Sequence, residues 1–255
     1  LDWNNIESVI SDNVSAIVPV HVFGNACEVE QFDKIARKYN LKVIYDAAHA
    51  FGVKYKGESL LNYGDVSTLS FHATKLFHTI EGGALIISDD SLVQEARHLI
   101  NFGIDGPDSV CALGTNAKMN EFEAAMGLCV LDDMENILDQ RQNIYNLYCK
   151  ELIGCKGINP QEINPNSTKN YSYFPIICDD EKQMHSIQIL LNSNQVFPRR
   201  YFYPSLDTLE YLPFSDPMTI SRDISSRILC LPIYPGLTEE QQYKIISLVK
   251  RALKI

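Results

Sequence analysis

The chain has 255 residues, 45% of them hydrophobic and 21% charged. That is a globular composition with enough apolar material for one large domain or two ordinary ones. A formal charge of −10 argues against binding nucleic acid through a basic face, although backbone donors and single basic residues can still hold a small anion. The seven cysteines are scattered, odd in number and without a C-x-x-C pair, which argues for free thiols in a reducing compartment and against a zinc site, so no metal is expected.

No apolar run approaches the length of a membrane span and no signal-peptide pattern opens the chain, so a cytoplasmic protein is expected. The chain starts at Leu1 and runs almost at once into a strand-like segment. This leads us to expect the C-terminal part of a longer protein.

Strands and helices are expected to alternate through the first half. Residues 16–22 are β-branched and apolar and predict a buried strand. Residues 28–39 predict a helix with Val29, Phe32, Ile35, Ala36 and Tyr39 on one face. Further strands are predicted over 41–45, 66–71 and 84–88, then a helix capped by Asp90 and stopped near Gly103. Such alternation predicts an α/β fold with a mostly parallel, helix-covered sheet, whose ligands bind beyond the C-terminal strand ends.

One long helix is predicted from Asn120, boxed by Glu123, to about Leu152. The Asn-, Pro- and Gly-rich stretch 154–168 reads as a domain junction. The expected domains are therefore 1–153 and a smaller α/β unit, 154–255. Within the second, strands are predicted over 171–178, 196–203 and 228–233, with helices over 180–191 and from Thr238, boxed by Gln241.

The residues that carry chemistry lie at the predicted strand ends. Asp46 follows Val43-Ile44-Tyr45 and precedes Ala47-Ala48, with His49 three residues on. Taken alone, Asp46 would cap a turn and His49 would be structural. Lys75 closes Ser70-Phe71-His72-Ala73-Thr74-Lys75, just ahead of Leu76-Phe77 and the pair Gly82-Gly83. A loop lysine is ordinarily a solvated charge, but partial burial lowers its pKa and favours the neutral nucleophile that forms a Schiff base. Pyridoxal phosphate (PLP) chemistry needs such a lysine, plus an acid that keeps the pyridine nitrogen protonated. Ser70 offers a hydroxyl to a phosphate, and Thr74 offers another.

The ordered set resembles the DegT/DnrJ/EryC1/StrS family of PLP-dependent sugar aminotransferases, which have the type I, aspartate aminotransferase-like fold. The similar segments are Pro19-Val20-His21-Val22-Phe23-Gly24, Tyr45-Asp46-Ala47-Ala48-His49-Ala50, Ser70 to Lys75, Glu81-Gly82-Gly83-Ala84 and Gly114-Thr115-Asn116-Ala117-Lys118-Met119-Asn120-Glu121. The resemblance implies that Lys75 is the Schiff-base lysine and that Asp46 pairs with the pyridine nitrogen. It also implies that His49 contacts the phenolic oxygen and Ser70 the phosphate. Asn116 and Lys118 would reach the phosphate of a second subunit, which implies a homodimer with shared sites. Lys118 stands where the family often has Arg, keeping the charge and losing the bidentate clamp.

A sister branch carries His in place of the lysine and dehydrates; Lys75 implies transamination. The "SFH" and "EGGA" segments resemble the branch acting at C4 of nucleotide-linked 4-keto-6-deoxysugars, with glutamate as donor, in surface-polysaccharide or glycan biosynthesis. Residues 199–207 most resemble enzymes making dTDP-4-amino-4,6-dideoxyglucose, which suggests Tyr201 and Tyr203 as substrate contacts. Packing of the small domain explains the two tyrosines equally well. Alternatives are a 3-keto sugar or cyclitol substrate, or a truncated, non-catalytic module of the same fold. The family carries roughly a hundred residues ahead of the point matching Leu1, a domain-scale length. Those residues would complete the cofactor site.

Overall fold

The computed structural model describes residues 1–212 and 216–255. It divides into two compact units: Leu1–Met134 with Ile163–Asn170, and Glu135–Glu162 with Tyr171–Ile255. No helix among the described residues is long and apolar enough to cross a membrane.

The first unit opens with a single helical turn, α1 (Trp3–Ile6), whose Asn4 N–H is capped by the Asp2 carboxylate. Its main sheet contains β1 (Ala16–Ile17), β2 (Lys42–Asp46), β5 (Val66–Ser70) and β6 (Gly83–Ile87), in that order. The first three run parallel and β6 is antiparallel. A two-stranded hairpin, β3 (Lys54–Tyr55) and β4 (Glu58–Ser59), lies outside this sheet.

Helix α2 (Val29–Tyr39) buries Val29, Phe32, Ile35 and Ala36, the predicted face, and stops where Asn40 turns left-handed. These side chains join Ile6, Ile17, Val43, Tyr45, Tyr55 and Leu60 in one core. The predicted strand over 16–22 is shorter than expected. After Ile17 only Val20 pairs, with Asp46, and the chain then makes a helical turn at Val22–Gly24. Helix α3 (Val93–Ile100) follows a turn that Asp89, not Asp90, caps. Neither β6 nor α3 contributes a side chain to the core.

The single long helix is in fact two, α4 (Glu121–Asp132) and α5 (Met134–Leu152), separated at Asp133. Asn120 and Glu123 do form the expected capping box. The unit boundary accordingly falls within the expected helix rather than at 153/154. The reason is packing: Ile144, Tyr148 and Leu152 of α5 belong to the core of the second unit, and the Tyr148 hydroxyl donates to the Pro232 carbonyl at 2.9 Å.

The second unit surrounds an antiparallel sheet, β7 (Ile158–Pro160), β8 (Phe174–Cys178) and β9 (Ile228–Leu231). Against it stand α6 (Glu181–Ser193), α7 (Thr219–Arg227) and α8 (Glu239–Leu253), the last with the Thr238–Gln241 capping box. The strand expected over 196–203 shrinks to one bridge, Arg199 to Cys230. Pro198 has no N–H to give a ladder, and the chain leaves the sheet on either side of that bridge.

Candidate active site

Parallel pairing brings Asp46 and Ser70, the last residues of β2 and β5, to the same edge of the sheet. The Asp46 N–H donates to Pro19 O, and the Ala47 N–H to Thr68 O. The Asp46 carboxylate turns over its own loop and accepts from the Ala48 N–H at 3.0 Å. Ala47 and Ala50 are fully buried, so the chain closes tightly around the carboxylate.

His49 is buried, with its ring parallel to that of Phe23 at 6.0 Å. Its Nδ1 accepts from the Phe23 N–H at 3.1 Å, so the neutral ring carries its proton on Nε2. Phe23 adopts a left-handed φ of 59° at that point. Burial, and then the Lys75 charge, push the imidazole pKa down to about 4, while Asp46 pulls the other way. His49 therefore senses both the lysine and the carboxylate, and at neutral pH it is an uncharged donor.

His21 is the second buried imidazole here. It stacks on Tyr45 at 4.6 Å, and its Nδ1 accepts from the Cys27 N–H at 3.1 Å. Burial lowers its pKa to about 4 as well, opposed by Asp46. Its Nε2 has no hydrogen-bond partner among the described residues.

Lys75 is half-buried, on a loop that leaves β5 and returns into β6. The loop is pinned at its neck, where the Phe71 N–H donates to Gly82 O at 2.8 Å and the Thr79 N–H to Phe71 O at 2.9 Å. Beneath it Phe77 stacks on Phe51 at 4.5 Å and meets Phe71 edge-on at 4.8 Å, a platform that includes buried Leu76. The glycine pair has a steric role. A Cβ on Gly83 would lie 2.7 Å from the Leu69 carbonyl oxygen, and Gly82 holds φ near +145°.

One arrangement went unread in the sequence. Residues 163–170, which overlap the end of the junction expected over 154–168, belong to the first unit and lock its loops. Buried Asn170 donates through Nδ2 to both His49 O (2.8 Å) and Phe51 O (3.0 Å). Asn164 donates its N–H to Asn25 Oδ1 at 2.9 Å and accepts from the Asn166 N–H.

The structure thus brings Asp46, His49 and Lys75 into one electrostatic neighbourhood, with Ser70 at the adjacent strand end. Asn116 and Lys118 lie on an exposed segment, where Lys118 Nζ donates to Asn101 Oδ1 at 3.0 Å and sits over the Phe102 ring. Tyr201 and Tyr203 belong to the second unit. There the Tyr201 hydroxyl accepts from Arg199 at 2.6 Å, and the Arg200 guanidinium lies 3.5 Å over the Tyr203 ring.

The donor set fits PLP. A carboxylate at a strand end suits a pyridinium, a neutral Nε2–H suits a phenolate, a hydroxyl suits a phosphate, and a half-buried amine suits an aldehyde. Fold and site together define a PLP-dependent transferase of type I. The family model described as the DegT/DnrJ/EryC1/StrS aminotransferase family matches residues 1–250, and the chain belongs to that family.

It is 38% identical over 250 residues to a dTDP-4-amino-4,6-dideoxy-D-glucose transaminase of Shigella dysenteriae, covering 96% of this chain and 68% of that one. An Escherichia coli protein of the same name is 40% identical, covering 98% of this chain and 69% of that one. The crystal structure of DesI with its TDP-sugar product superposes with a TM-score of 0.89 at 30% identity, covering 98% of this chain and 65% of DesI. The chain thus spans about two thirds of the length of each of these relatives.

Proposed function

We propose that the chain moves an amino group from glutamate to the keto carbon of a nucleotide-linked 4-keto-6-deoxysugar, in a route to surface polysaccharide or glycan. The convergence of Lys75, Asp46 and His49 at the strand ends carries this reading. The names of the relatives from Shigella dysenteriae and Escherichia coli support the sugar and its C4 position. PLP, when bound, supplies the electron sink for charge left behind as a proton leaves an amino-bearing carbon.

The remaining work falls to the chain. Asp46 places a negative charge where a pyridinium proton must be held. His49 donates through Nε2 to a phenolic oxygen without adding a charge of its own. Ser70 donates to the phosphate. Lys75 would hold the cofactor through Nζ, and its free amine would carry the proton taken from the donor's Cα. Tyr201 and Tyr203 are proposed to contact the sugar nucleotide, and Asn116 and Lys118 the phosphate of a second subunit. A homodimer is supported by the exposed apolar side chains of α4, Phe122, Leu128 and Leu131, which a partner surface would cover.

The test has two arms. Borohydride treatment of the chain incubated with PLP should fix the cofactor on the Lys75 peptide, and Lys75→Ala should abolish that adduct. An adduct elsewhere, or none, would overturn the cofactor assignment. Incubation with glutamate and dTDP-4-keto-6-deoxyglucose, followed by mass analysis, should show the amino sugar. A product from a 3-keto sugar or cyclitol alone would move the substrate and leave the cofactor assignment intact.

A further inference from the structure

Beyond α3 the chain folds back on itself as a two-armed loop, closed by the bridges Asn101 to Asn116 and Ile104 to Val110. The arms sit at a separation only glycine permits. A Cβ on Gly103 would fall 1.8 Å from Ala112 O, and one on Gly114 would fall 2.2 Å from the Gly103 nitrogen. The Gly103 N–H donates to His98 O at 2.7 Å, and the Cys111 N–H to Gly103 O at 2.9 Å, which ties both arms to the last turn of α3.

This packing gathers His98, Asp105 and Cys111, whose ligand atoms all lie within 4.8 Å of one another. His98 Nε2 is 3.3 Å from Asp105 Oδ1 and 4.0 Å from Cys111 Sγ. A tetrahedral zinc ion bound to nitrogen, oxygen and sulfur at ordinary lengths sets those atoms roughly 3.3–3.5 Å apart. The carboxylate and thiolate atoms lie no more than 4.8 Å apart, so side-chain shifts of about 1.5 Å or less bring all three ligands to those separations. The donor set of imidazole, carboxylate and thiolate is the mixed one that zinc prefers, and its two negative charges match a dication. Gln94 Nε2 stands 2.8 Å from His98 Nε2, and half a turn of that amide presents Oε1 as a fourth oxygen. Cysteine spacing in the sequence argues against zinc, but a site assembled from one helix and two loop arms leaves no C-x-x-C trace.

We propose that His98, Asp105 and Cys111 bind one zinc ion, with Gln94 or water completing the tetrahedron, and that the ion clips the 101–116 loop onto α3. The proposal does not rest on the transamination reading, although Asn116 closes the same loop. The test titrates the whole, reduced, metal-stripped chain with Co²⁺ as the spectroscopic probe. One equivalent should produce a thiolate-to-metal charge-transfer band in the near ultraviolet, and Zn²⁺ should displace it. Cys111→Ser and His98→Ala should lose the band. Asp105→Asn should weaken binding at least roughly 10-fold, as much as losing an outer-shell partner does.

A second measurement uses the unaltered chain. Zn²⁺ should protect Cys111 from iodoacetamide, mapped by peptide mass, and should leave the extent of alkylation at Cys129, on α4, unchanged. No band, a band that survives in Cys111→Ser, or equal alkylation of Cys111 with and without Zn²⁺ would each overturn the proposal.

Discussion

The two buried imidazoles make the first unit acid-sensitive in a defined window. His21 and His49 both fall from the ordinary value of 6.5 to about 4 in the folded chain, chiefly through burial. Between those values the unfolded chain binds a proton at each site and the folded chain does not. Stability contributed by the neutral rings is therefore complete above pH 6.5 and is lost as pH falls toward 4. Each displacement of roughly 2.5 pH units corresponds to about 3 kcal/mol. Both together compare with the whole stability of an ordinary domain, about 5–15 kcal/mol. Midway through the window the slope should approach about 2.7 kcal/mol per pH unit, the value for two protons.

Carboxylates held low, such as Asp65 and Asp89, change charge below this range. Trp3 is the only tryptophan and packs against the core of the first unit, so its fluorescence isolates that unit in urea titrations. Measurements on cofactor-free protein at half-unit steps from pH 7 to 4.5 give the slope. His21→Gln and His49→Gln each keep an acceptor for the N–H that the ring now serves, and each should remove about half of it. A flat wild-type profile would refute the reasoning, as would variants that keep the full slope.

Three further substitutions probe the supports of the site. Asn170→Ala removes the amide that donates to the His49 carbonyl, which is buried, and to the Phe51 carbonyl, which is partly so. It should destabilise the first unit by about 2–4 kcal/mol, read by Trp3 fluorescence, and weaken PLP retention. Gly83→Ala drives a methyl against Leu69 O across the β5–β6 pairing and should cost about 1–3 kcal/mol, with a lower yield of the borohydride adduct at Lys75. Tyr148→Phe removes the hydroxyl that serves Pro232 O and should cost the second unit about 1 kcal/mol, seen as faster amide exchange in β9.

The legible part of this protein was the part written locally. Val43, Ile44 and Tyr45 are β-branched or aromatic and run directly into the polar Asp46, so the strand and its functional end could be read together. The faces of α2 and the capping boxes at Asn120 and Thr238 were equally plain, because their partners lie within four residues. What escaped was long in range. The split at Asp133 has neither proline nor glycine to announce it. It exists because Ile144, Tyr148 and Leu152 pack into a different core from that of the first unit.

The junction expected over 154–168 differs from the structure for a related reason, since residues 163–170 belong to the first unit. Asn, Pro and Ser in succession signal a junction by composition. Yet Asn170 bonds residues about 120 positions away, and no local pattern encodes that bond. The consequence reaches the chemistry. The loop that carries His49 is held from one side by Phe23, whose N–H fixes the imidazole tautomer, and from the other by Asn170, which holds the backbone at His49 and Phe51. Phe51 in turn stacks on Phe77 beneath the lysine loop. The motif supplies the reacting groups, and Asn170, just past the expected junction, fixes where they stand.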